Sequence, residues 1–183
     1  MILEQKLSKL SVLCTAFLVI SFYSCNTPGF EYNIDIELNP NKISPLTAMF
    51  NVTSNSPCSA SFKVLGALPI EQSFDETSES LKIPVVGLYA DTINDVEVTL
   101  TYQDGKVIDT INVKTSALPA GFPSIEVNTL NRNKMEPGLH GCDVHLANYG
   151  SFNSMPLIFD DQGKVRWYLD LSFNGKMISP FQR

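Results

Sequence analysis

Within "GLHGCDVHLAN", His140, Cys142, Asp143 and His145 place two imidazoles, a thiol and a carboxylate side by side. These are transition-metal ligand types, and an imidazole nitrogen is also a capable nucleophile. Their spacing matches no standard zinc pattern, so no metal or other cofactor is expected. His140 and His145 stand only as candidates in what reads as a loop packed against the mouth of a larger domain. Trp167 and Tyr168 could stack on a sugar or phenol, but their place in an alternating strand favours a core role. Asn51-Val52-Thr53 has the form of a glycosylation acceptor, yet falls in mid-strand and reads as strand polarity.

A different chemistry is written at Cys25. Lys6 and Lys9 precede "SVLCTAFLVISFY", which is uncharged and mostly apolar, and Ser24-Cys25 follows. A basic start, a short apolar stretch and a small residue before a cysteine describe a signal peptide over 1–24. Phe22 is too large for ordinary cleavage after Ser24, so lipoprotein processing, with Cys25 lipidated, is expected ahead of the alternatives of a plain secretory leader or an uncleaved anchor. The mature chain would then be exported and lipid-anchored, in the periplasm or at the outer membrane. The remaining cysteines, Cys58 and Cys142, could pair in an oxidising compartment. They fall in different expected domains, and two separate buried thiols fit better.

The whole chain of 183 residues is 44% hydrophobic and 17% charged, enough for a packed core, with a net charge of −6. Removing 1–24 takes away Glu4, Lys6 and Lys9 and leaves the rest one charge more negative. No lysine- or arginine-rich block is present, which argues against nucleic acid as a partner.

Period two dominates from residue 30 to residue 115. "EYNIDIELN" aligns Tyr32, Ile34, Ile36 and Leu38; "LTAMFNVTS" aligns Leu46, Ala48, Phe50 and Val52; "CSASFKVL" aligns Cys58, Ala60, Phe62 and Val64. "NSP" and "DETSES" read as breaks, around a weaker segment from Ile70 to Phe74. "LKIPVV" is a strand that Pro84 requires to be an edge or to be bulged there. After it, Gly87-Leu88-Tyr89 turns the corner, with Leu88 plugging the open end. Asp104-Gly105 signals a two-residue hairpin turn that pairs Leu100 with Asp109, Val98 with Ile111 and Val96 with Val113. About seven strands, with turns every eight to twelve residues or so, predict an all-β immunoglobulin- or fibronectin-like sandwich over 25–115.

"TSALPAGFPS" predicts a linker over 116–124. Beyond it, 125–183 contains a Gly/Asn/His-rich loop over 131–154 and a hairpin, "MPLIFDDQGKVRWYLDL". "NGKMISPF", at 174–181, opens another strand. So few strands cannot close a core, and the piece reads as the start of a β-propeller, truncated within its first blade.

Three stretches, "NPNKISPLTAMFNV", "IPVVGLYADTINDVEVTL" and "DQGKVRWYL", resemble the N-terminal region of bacterial arylsulfotransferases, the aryl-sulfate sulfotransferases that use no nucleotide sulfate donor. The resemblance implies a small β-sandwich preceding a six-bladed propeller. It implies a phenolic sulfate donor, a phenol acceptor and a histidine that carries the sulfuryl group between them. No position here matches the family's catalytic histidines or arginine, so no catalytic residue is assigned and the chain alone is expected to be inactive. The sandwich is expected to serve packing or subunit contact, as in a homodimer. The alternative is a non-catalytic surface lipoprotein whose Ig-like module binds a glycan or protein; it would need an exposed aromatic cluster, and the aromatics before residue 115 mostly fall on inward faces.

Overall fold

The computed structural model describes residues 29–131, 133–136, 138–146 and 153–170. The leader, Cys25 and the strand expected at 174–181 lie outside the described residues. Eight strands are present among those described, and no helix. They are β1 (Tyr32–Leu38), β2 (Thr47–Val64), β3 (Ile70–Val86), β4 (Ile93–Tyr102), β5 (Gly105–Lys114), β6 (His140–Leu146), β7 (Asn153–Phe159) and β8 (Val165–Tyr168).

The first sheet follows the path β1-β2-β4-β5, with β3 paired to β2. β2 works in two halves. Residues 48–54 pair with β1, and 47–53 with the end of β3; Cys58–Val64 pair with β4, and most of that half also with the start of β3. The two ends of the path nevertheless meet, because the Tyr32 hydroxyl on β1 donates to Asp109 on β5 at 3.2 Å. The sheet has therefore folded over into two layers around one core. Phe50, Val52, Phe62 and Val64 from β2 fill it with Ile83 and Val85 from β3, Val96, Val98 and Leu100 from β4, and Leu88, which is fully buried as expected.

Two expected breaks are not breaks. "NSP" and "DETSES" lie inside β2 and β3, so the sandwich has five strands rather than about seven. Most of the residues concerned are exposed, so their polarity reflects solvent on both faces of a two-stranded ribbon rather than a turn. The bend is made instead by register shifts between Thr53, Cys58 and Ala60. A one-residue slip exchanges the faces of a strand. That is why the inward residues of β3 change from Ile70 and Phe74 to Leu81, Ile83 and Val85. Pro57 sits where pairing is interrupted and Pro84 lies on the outer strand β3, the two settings in which a missing N–H donor is tolerated.

The β4–β5 hairpin corrects the expected register. Tyr102 pairs with Gly105, which puts Gln103-Asp104 at the turn, Val98 opposite Asp109 and Val96 opposite Ile111. Neither Asp104 nor Gly105 has positive φ, so the turn type inferred from Asp-Gly does not form. The shift is by two residues, so every side chain keeps its face. Its effect is to bring Asp109, rather than an apolar residue, opposite Val98 and within reach of Tyr32.

The second sheet has the order β6-β7-β8, all antiparallel. Its first strand lies inside the stretch expected to be a loop over 131–154. The described residues between 131 and 139 are irregular, whereas His140–Leu146 pairs along its whole length with β7. The glycine and polar residues of 140–146 that suggested a loop are held in a backbone ladder with β7.

Candidate functional site

β6 separates the group that invited a metal reading. Along a strand, alternate residues face opposite sides, so His140 and Cys142 share one parity and Asp143 has the other. His145 pairs with Ser154 in the ladder. No group of three or more metal-binding side chains occurs among the described residues. The His140 ring packs on Phe159 at 5.6 Å between centroids. The Cys142 thiol is free and half-buried rather than buried. Burial, then the charge of Asp143, pushes its pKa up, the opposite of what a thiolate nucleophile requires. Cys58 is free and buried. Asn51 lies in mid-strand as expected, and Cys25 lies outside the described residues.

The polar centre that the structure does build was not singled out from the sequence. It forms around Arg166, whose side chain is fully buried. In β7–β8, Phe159 pairs with Val165 but Ile158 pairs with Trp167, which leaves Arg166 as the extra residue of a bulge. A bulge re-aims a side chain out of strict alternation. Val165 and Arg166 are consequently both buried, and Tyr168 after them, while Trp167 is only half-buried.

The guanidinium reaches into the corner of the first sheet. Nε and Nη2 both donate to the Gly87 carbonyl, at 3.0 and 2.8 Å. Nη1 donates to the Leu68 carbonyl at 2.8 Å, to the Tyr89 hydroxyl at 2.9 Å and to Asp160 Oδ2 at 3.3 Å. The guanidinium carbon lies 3.7 Å from the centroid of the Tyr89 ring, a cation–π distance. Asp160, fully buried, also holds the β7–β8 turn: its Oδ1 accepts the backbone N–H groups of Gln162 and Lys164 at 3.0 and 2.9 Å. A buried charge is tolerable only when paired and hydrogen-bonded, and both conditions are met here.

The corner is fixed from its own side. Tyr89 N–H donates to Asn94 Oδ1 at 2.7 Å, and Asn94 Nδ2 returns to the Tyr89 carbonyl at 3.0 Å and reaches the Val113 carbonyl at 3.3 Å. The Thr115 hydroxyl donates to the Tyr89 carbonyl as well. The segment read as a linker is docked here too: Asp91 N–H donates to the Ser116 carbonyl at 3.0 Å, and the Phe122 ring meets Tyr168 edge-on at 5.2 Å. Burial, then the charge of Asp170, pushes the Tyr168 pKa up to about 12.

Elsewhere the first sheet offers shallow polar grooves such as that lined by Ser61, Lys63, Glu71, Gln72 and Glu97, where Lys63 is already paired with Glu71 at 3.2 Å. No nucleophile, general base and anion-stabilising group converge among the described residues. The sequence signal for the true polar centre was present in "DDQGKVRWYL": an arginine among apolar strand residues, one turn after an aspartate.

Residues 35–116 match the family model of the arylsulfotransferase Ig-like domain. No curated protein matches the chain.

Proposed function

From the premise that this chain carries the arylsulfotransferase Ig-like domain over 35–116, we propose that it is the N-terminal portion of an exported arylsulfotransferase. The domain match is the observation that carries the reading. In it, β6–β8 form the first blade of the propeller, and the Ig-like domain packs on that blade and holds it in place. The chemistry is transfer of a sulfuryl group from a phenolic sulfate ester to a phenol, through a histidine supplied by later blades. An imidazole nitrogen displaces the donor phenolate from sulfur, which breaks the S–O bond and forms an S–N bond. The acceptor phenol then loses its proton and takes the group. Converging cations must balance the sulfuryl oxygens and the leaving oxygen. The residues around His140 include no such set, so His140 and His145 are not assigned this role. The leader and a lipid on Cys25 would deliver the enzyme to the periplasm or outer membrane. The rival reading, a binding lipoprotein, is less well supported because Phe50 and Phe62 are buried rather than displayed.

The test measures release of a chromogenic phenol from its sulfate ester, with phenol as acceptor. The 183-residue chain should be inactive, and a form extended through a complete propeller should be active. Turnover by the short chain that vanishes in His140→Ala or His145→Ala would overturn the assignment and put the catalytic site on β6. Palmitate labelling of wild type that is absent from Cys25→Ala checks the anchor.

A further inference from the structure

Four of the five hydrogen bonds made by the Arg166 guanidinium go to neutral acceptors of the first sheet's corner, and one goes to an acid. We propose that this corner is a guanidinium receptor, an interaction surface built by the Ig-like domain to read an arginine presented on a β-bulge, and filled in this chain by Arg166. The inference stands on the geometry alone, whether or not the second sheet belongs to a propeller.

The receptor is complete without β8. Its acceptors are the carbonyls of Gly87 and Leu68 and the Tyr89 hydroxyl, and its wall is the Tyr89 ring. The backbone conformation is specified by two glycines. Gly87 has φ of +81°, a left-handed conformation that aims its carbonyl at the arginine and that other residues adopt only with strain. A Cβ at Gly66 would fall 2.6 Å from the Tyr89 ring, so only glycine lets the ring lie there. The Tyr89 hydroxyl oxygen accepts from Leu68 N–H at 3.4 Å with one lone pair, which holds the phenol in place, and offers the other to Arg166 Nη1 at 2.9 Å. Asn94 and Thr115 hold the Tyr89 backbone from behind.

The chemistry selects arginine over lysine. One carbonyl accepts from both Nε and Nη2, which requires the planar fork, and the ring requires a flat, weakly hydrated cation to lie on it. An ammonium would supply three donors from a single point and could not reach Gly87, Leu68 and Asp160 at once. Asp160 belongs to the arginine's own hairpin. It neutralises the charge and orients the side chain, while the receptor supplies the recognition.

Hydrogen exchange of the full chain, read by mass spectrometry, tests this. Arg166→Lys keeps the charge, and should exchange on the order of tenfold faster in β7 and β8 with β2–β5 unchanged. Arg166→Ala should lose the same protection and regain it in millimolar methylguanidinium, but not in methylammonium. Three results would overturn the proposal: unchanged exchange in Arg166→Lys, protection lost equally from β2–β5, or equal effects of the two cations. The second would make Arg166 part of the sandwich core rather than the key to a receptor.

Discussion

The sheet of β1–β5 fills its interior with its own side chains, Phe50, Phe62, Ile83, Val98 and Leu100 among them, and closes its ends through Tyr32 and Asp109. Among the residues of β6–β8 and their turn whose burial is described, Leu157, Val165 and Tyr168 are the buried hydrophobics, with Pro156, beside the charged Asp160 and Arg166. Three short strands cannot generate a core of their own. What burial they have comes from contact, with Phe122 on Tyr168 and the receptor around Arg166. One region is stabilised by apolar area that it brings itself, the other by directional bonds to a neighbour. Apolar packing tolerates small displacements, whereas a buried guanidinium does not. The two should therefore fail differently, and their failures should be unequal.

The largest effect should come from Val98→Asp. Val98 is 1% exposed and lies opposite Asp109, so the variant sets one carboxylate in the core facing another. A loss of about 4 kcal/mol is expected, enough to unfold many domains of this size. The receptor goes with the sandwich, so the second sheet should lose its anchorage in the same transition. Trp167 is the sole tryptophan and lies on β8. Its fluorescence and the far-ultraviolet dichroism should thus shift together in urea. A dichroism midpoint at the wild-type value would mean that Val98 does not face the core.

Asp160→Ala tests the reverse direction. It leaves Arg166 charged and buried with neutral partners only, and releases the Gln162 and Lys164 amides. Removing one member of a buried pair typically costs about 3 kcal/mol. Here the loss should register in the Trp167 midpoint while the dichroism midpoint of the sandwich stays within error. Equal shifts in the two signals would erase the distinction between a self-closing sheet and a dependent one.

How much of this was legible in the sequence divides along the same line. The inward residues of the sandwich could be read at 46–52, 58–64, 81–85 and 96–100, because an apolar core imposes strict alternation that survives errors in strand count and hairpin register. The errors themselves have local causes. A bulged ribbon with both faces wet looks like a loop in composition, and Asp104-Gly105 signals a turn that the chain makes one residue earlier. Between Val165 and Trp167, alternation alone would set Arg166 on the opposite face from both, and a bulge overrides alternation without leaving a mark in composition. The receptor depends on Gly66, Leu68, Gly87 and Tyr89 meeting an arginine far along the chain, a juxtaposition that no spacing rule contains. His140 and Cys142 showed the opposite failure. Their types suggested a site, and the strand's ordinary geometry dispersed it.

The smallest effect should come from Tyr32→Phe, which removes the closure of the self-contained sheet without touching its core. The hydroxyl donates to Asp109 on a half-buried edge, a bond worth about 1 kcal/mol. Burial, then the charge of Asp109 and the hydrogen bond itself, raise the Tyr32 pKa above its ordinary value of 10.0. Because the folded value is the higher one, the proton is held more tightly in the native state. The stabilisation is then fully present below pH 10 and is lost as pH climbs through the raised value, where a phenolate would face a carboxylate. The stability difference between wild type and Tyr32→Phe should accordingly be flat from neutral pH to about pH 10 and should shrink above it. Dichroism should report it, since the change lies in the sandwich. Tyr168, pushed up to about 12, remains in both proteins and should give the same late alkaline loss in Trp167 fluorescence. A difference that grows with pH, or none at neutral pH, would mean that β1 and β5 are not joined by this bond and that the sandwich, like the second sheet, depends on a partner to close it.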